Sequence, residues 1–346
     1  MTIVLSSSAA RPQYAQDVLT VLAAPLGLHV QFRYDKRYVA EDLRDSIARG
    51  EAEGKPAVVA SVGNVATDDA YVLPIRLVTI IKVTDFADAY VIKFVVGRYV
   101  NVSDWPLEQQ GIVARGRTIM QDAYATYRSH VAAMGKHGGL PITPADSDVS
   151  SWSAVAQRLA TLEGFSESYL ARVSVTNADN EPLTLSEDGS IDIRYRRSLV
   201  IACWYYRAST PAQEHTVRVT ADDKVLEFSS DAQRPILTRY DEVDFWLYAK
   251  PLSPSYRRVV TVEITGASTL EHDIPTRVAL PVHARRPVLP RIGQWVLSAG
   301  GAGLVATPAL IGSGAQTEHK LLFAGLGAAI VASVTVFSDW FTGTRS

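Results

Sequence analysis

The chain has 346 residues, enough for two domains of ordinary size, and its 34 Lys and Arg against 36 Asp and Glu leave a formal charge of -2. That balance excludes a globally basic surface for gripping phosphates, so there is no strong nucleic-acid signal, although a local patch stays open. Cys203 is the single cysteine, which excludes an intrachain disulfide and fits a reducing compartment.

The N-terminal stretch MTIVLSSSAARPQYAQDVL lacks the continuous apolar core of a signal peptide, so the bulk of the chain is expected in the cytoplasm. A first α+β unit is expected over residues 1–105. Thr2 to Leu5 reads as a strand, and Tyr14, Val18, Leu19 and Leu22 form a helical stripe within Arg11 to Ala24. His29 to Tyr34 and Ala57 to Val62 read as short strands. Val72 to Val83 and Ala89 to Val100 read as a hairpin across the turn Thr84 to Asp88. A helical connector is expected over 106–168. It begins with a helix from Pro106 to Met134, continues through a linker at Lys136 to Ser150, and ends in a short helix carrying Trp152, Val155, Leu159 and Leu162 on one face. From 169 to 285, seven or eight short alternating runs separated by turns such as Asp188-Gly189 predict an all-β, sandwich-like domain.

The remaining segment, 291–341, reads as a two-helix transmembrane hairpin. Ile292 to Gly312 holds no charge over 21 residues, which spans about 31 Å as a helix, and Leu321 to Ser338 repeats the pattern over 18 residues. Small residues at Gly300, Gly301, Gly303, Gly325, Gly327 and Ala328 suit close helix packing and self-association. Trp295 and Trp340 are placed as interfacial anchors, and Arg285, Arg286 and Arg291 put the preceding chain on the cytoplasmic side of an inner membrane. The lipid bilayer is thus the first expected partner.

Motifs for chemistry are scarce. No G-x-G-x-x-G, Walker loop, H-E-x-x-H, C-x-x-C or G-x-S-x-G occurs, so no cofactor, metal or catalytic residue is assigned. Cys203 with His215 could be imagined as nucleophile and base, but a core cysteine is the simpler role. Asp241, Glu242 and Asp244, with Lys250 downstream, do not match the spacing of a metal nuclease. In QFRYDKRY, Arg33, Lys36 and Arg37 interleave with Tyr34 and Tyr38, a combination that suits phosphate pairing and base stacking by a nucleotide ligand. Strand alternation explains the same residues as an amphipathic strand.

The functional expectation is a membrane-anchored sensor or effector that binds a ligand or a protein partner and acts through an oligomerising hairpin. The alternatives are a passive tethered scaffold and an unrecognised nuclease or hydrolase; catalysis is not expected.

Overall fold

The computed structural model describes residues 2–8, 12–63, 71–102, 134–137, 142–146, 148–162, 165, 168–194, 197–207, 215–229, 231–237, 240–250, 258–268 and 274–285. Its first unit is a six-stranded sheet of β1 (Thr2–Ser8), β2 (His29–Asp35), β3 (Pro56–Gly63), β4 (Tyr71–Asp85), β5 (Ala89–Tyr99) and β6 (Met134–His137). The strands run in the order β2-β5-β4-β3-β1-β6, with β1 and β3 parallel and the other neighbours antiparallel. In β5 the alternation of Ile92, Phe94 and Val96, each fully buried, with half-buried Val91, Lys93 and Val95 sets one face of the sheet against the core.

Helix α1 (Pro12–Ala23) explains how the units join. Its Ala15, Val18, Leu19, Val21, Leu22 and Ala23 are all buried, more than one apolar stripe requires. The helix touches β1, β3 and β4 of the first sheet and also two strands of the second unit, β7 (Ser168–Thr176) and β15 (Thr276–Arg285). Thr20 Oγ1 donates to the Arg277 carbonyl at 2.9 Å, tying the helix to β15.

The second unit is a sandwich. One sheet has the order β12-β10-β14-β15-β8 and the other β11-β13-β9-β7. The new strands are β8 (Ile191–Arg194), β9 (Ser198–Arg207), β10 (His215–Thr220), β11 (Leu226–Phe228), β12 (Gln233–Ile236), β13 (Tyr240–Ala249) and β14 (Arg258–Ser268). Val217, Val219, Val262, Ile264, Val278 and Leu280 from the first sheet meet Leu199, Ile201, Cys203, Phe245 and Leu247 from the second in one buried cluster. Burying each larger side chain stabilises by about 1.5–3 kcal/mol. The same cluster continues into Phe32, Ile92 and Phe94 of the first sheet, so the apolar core is contiguous across both units.

The structure corrects the expected fold class. Strands dominate, and among the described residues the helices are α1, α2 (Glu41–Ala48), α3 (Asp148–Leu159) and one 3-10 turn (Lys36–Tyr38). The linker expected from Lys136 begins instead as a strand, because Met134–His137 pairs antiparallel with Thr2 to Leu5 at the sheet edge. Of the three helices the longest has 12 residues, against the roughly 20 needed to cross a bilayer, and none is long and apolar enough to do so. The hairpin expected at 291–341 lies outside the described residues, including Gly300, Gly301, Gly303, Gly325, Gly327, Ala328, Arg291, Trp295 and Trp340, as does Arg286. Arg285, expected at a membrane surface, is the last residue of β15 and lies in register with Arg194 of β8. Inner-membrane anchoring is accordingly unsupported, since it rested on a charge-free composition that measures hydrophobicity and length but not conformation.

Candidate functional site

The largest buried polar side chain of the first sheet is Arg76, 1% exposed, on β4. Its position follows from an irregularity in the strand. The register with β5 shifts between Arg76 and Val78, and that with β3 shifts where Val59 faces Arg76 and Ala60 faces Pro74. Proline cannot donate to a ladder, so it belongs at such a shift, and bulges re-aim the side chains beside them. Gly97 completes the arrangement: a Cβ there would lie 2.7 Å from the Leu77 carbonyl oxygen.

The guanidinium of Arg76 donates from Nε to the Gly97 carbonyl at 2.8 Å and from Nη1 to the Leu22 carbonyl at 3.4 Å. It stacks 3.8 Å from the Tyr99 ring centre, and the Tyr99 hydroxyl donates to the same Leu22 carbonyl at 2.8 Å. Leu22 lies in the last turn of α1, so the charge sits at the negative pole of the helix, where a cation is favoured. Charged donors on carbonyls offset part of the cost of burying the guanidinium.

Arg76 and Tyr99 line one side of a cleft of about 390 Å³, together with the Ala24–Gly27 turn after α1. The other side comes from the sandwich, through Arg172 to Thr176 of β7 and Pro182 to Leu185. This last segment folds back along β7, where Leu183 N–H donates to the Val175 carbonyl at 2.9 Å. Gly27 has φ +88°, and a Cβ on it would touch Leu185 at 3.4 Å, which holds the two walls close. Arg172 stacks its guanidinium 4.3 Å over Trp204, its register partner on β9, and Glu242 of β13 pairs with Trp204 from the other side. The Glu242 carboxyl is raised by burial and by the Asp244 charge, a rise opposed by the Trp204 hydrogen bond and Arg172. Burial also raises the Asp244 carboxyl, against the opposing charge of Arg234. Among the described residues the lining offers the Arg172 guanidinium, the hydroxyls of Ser174, Thr176 and Thr184, and apolar walls, with no carboxylate, while the buried Arg76 guanidinium adds positive charge behind it. Chemically, it can hold an organic anion.

The basic-aromatic segment lies elsewhere, on the edge strand β2 and the 3-10 turn after it. Arg33 pairs with Asp88 at 2.9 Å, Lys36 with Asp85 at 2.5 Å and Arg37 with Asp35 at 3.5 Å. Tyr34 is 1% and Tyr38 7% exposed, and the Tyr34 hydroxyl donates to the Ser6 carbonyl at 3.3 Å. Arg33 and Arg37 face outward, whereas Tyr34 and Tyr38 are buried. Lys36 and Arg37 stack on Tyr90 and Tyr38 at 5.1 and 4.7 Å.

Cys203 is fully buried, and burial pushes its thiol well up, the opposite of an activated nucleophile. His215 places Nδ1 3.3 Å from the Tyr205 hydroxyl. A Ser-His-Asp grouping that the sequence did not suggest occurs where β8 meets β15: Ser190 Oγ lies 3.2 Å from His283 Nδ1, with Asp192 at 3.7 Å from the same nitrogen. The Ser190 hydroxyl donates to the Asp188 carboxylate, its N–H donates to that carboxylate at 3.1 Å, and its side chain is enclosed. These contacts close a turn and leave no exposed nucleophile. Among the described residues no group of three or more His, Cys, Asp or Glu could hold a metal ion.

Arg76 and Arg172 were missed because each reads as one charged residue in a strand, in YVLPIRLV and YLARVSV. The available signal was Pro74, which marks an irregularity two residues before a lone arginine. No protein-family model matches this sequence, and no curated protein is similar to it.

Proposed function

We propose that this chain is a non-catalytic ligand-binding module, the sensing half of a sensor or effector, and that its ligand is a small organic anion held in the cleft between the mixed sheet and the sandwich. One observation carries this reading: arginines from two separate units, Arg76 of β4 and Arg172 of β7, line a single cleft of about 390 Å³ whose lining has no carboxylate among the described residues. Clefts between structural units are the usual home of small-molecule sites, and apolar walls with a few convergent polar groups are their usual chemistry. Because the lining comes from both units, a bound ligand would bridge them and favour one relative arrangement, which is what a sensor requires.

Thermal unfolding of the full chain against a panel of small organic anions tests the reading. A ligand present at about 100 times its Kd adds about 2.7 kcal/mol to stability, easily read as a rise in Tm. The rise is expected for the wild type and lost in R172Q. If no anion raises Tm, or if the rise is the same in R172Q, the cleft is not the site.

A further inference from the structure

We infer that the cleft takes a monocarboxylate with an apolar body of about ten carbons, a proposal that rests on the cleft being the binding site. Three features of the lining select this class over a nucleotide or inorganic phosphate. The first is hydrogen-bonding type. An adenine edge presents a donor and an acceptor together, and the side chain that meets both is a carboxamide, while a cytosine amine is met by a carboxylate. Among the described residues the cleft lining has neither, and its polar side chains are guanidinium groups and hydroxyls.

The second feature is the amount of positive charge. Arg76 already donates to the Gly97 and Leu22 carbonyls at the negative end of α1, and Arg172 shares its field with Glu242 across Trp204. Two partly compensated cations suit one negative charge better than the two to four of a nucleotide phosphate chain. A carboxylate also matches the fork of a guanidinium, with two acceptor oxygens facing two donors.

The third feature is the wall. Pro25, Leu26, Pro182, Leu183 and Leu185 surround the space, and an apolar ligand would cover Leu26, which is 53% exposed beside it. At about 30 Å³ for each water-sized group, 390 Å³ holds roughly a dozen such groups, which fits a carboxylate and about ten methylenes.

Titration calorimetry of the full chain with decanoate below its micellar concentration, decanol, AMP and inorganic phosphate tests the class. Decanoate should bind saturably, R172Q should weaken it at least tenfold, R172K should recover part of the loss, and T184W should abolish binding by filling the space. Circular dichroism of each variant establishes that it is folded. Binding of AMP or phosphate that R172Q weakens, without binding of decanoate, would overturn the carboxylate assignment and leave the cleft as the site. Decanol bound as tightly as decanoate would equally overturn it, because the head group would then contribute nothing. No heat from any of the four probes, together with no anion raising Tm, would overturn both readings.

Discussion

Asp17 is the only charged side chain in α1, and burial raises its carboxyl from 3.8 to about 6. The folded chain therefore holds this proton to higher pH than the unfolded chain does. As pH rises from about 4 to 6 the wild type loses stability, and above that window the whole penalty is present. The 2.2-unit difference between 3.8 and 6 corresponds to about 3 kcal/mol at about 1.36 kcal/mol per unit. Asp17 is only half-buried, so solvent screening reduces the expected effect to about 1–1.5 kcal/mol. D17N removes the charge and keeps the shape. Urea unfolding followed by tryptophan fluorescence is a suitable assay, since Trp152 shares a buried cluster with Val18, Leu19 and Leu22 of α1. D17N should be the more stable protein by about 1 kcal/mol at pH 8, and the gap should close by about pH 4. A gap that does not change with pH would refute the reasoning, because Asp17 would then titrate alike in the folded and unfolded chain, and a D17N protein less stable than wild type at pH 8 would refute it by showing that a partner stabilises the ionised carboxylate.

G97A should lose about 1–3 kcal/mol in chemical denaturation, since its Cβ would meet the Leu77 carbonyl oxygen at 2.7 Å and disturb the acceptor of Arg76; a loss under about 0.5 kcal/mol would show that the bulge relaxes freely. G189A combines φ +78° with a Cβ 2.6 Å from the His29 ring, so it should lower the thermal midpoint, and H29A in the same protein should restore part of the loss. Recovery absent from the double variant would leave backbone strain as the sole cause. Cys203 should resist a disulfide exchange reagent at pH 8 until denaturant is added, because the thiol is fully buried and its ionisation is disfavoured; rapid labelling of the native protein would contradict that burial.

Much of the local structure was legible in the sequence. The stripe of Val18, Leu19 and Leu22 became α1, and the runs flanking Thr84 to Asp88 became β4 and β5, because 3.6- and 2-residue apolar periods are local properties. Alternation in QFRYD likewise placed Phe32 and Tyr34 inside and Arg33 outside. A short segment such as Met134–His137 carries no such signature, and its strand exists only through pairing with β1. Glu41 and Asp42 occupy the first turn of α2, where the helix dipole favours negative charge, a placement that depends on where the helix starts. The expectation of two membrane helices in the C-terminal stretch rests on the length of two uncharged runs, their small residues and the flanking Trp and Arg residues, none of which specifies a backbone conformation. The candidate site depended on tertiary structure altogether. Arg76 and Arg172 are 96 positions apart in sequence, and nothing local in YVLPIRLV or YLARVSV encodes their meeting. They line one cleft because a bulge turns Arg76 toward the end of α1, and because α1 itself is buried between the first sheet and the sandwich strands β7 and β15.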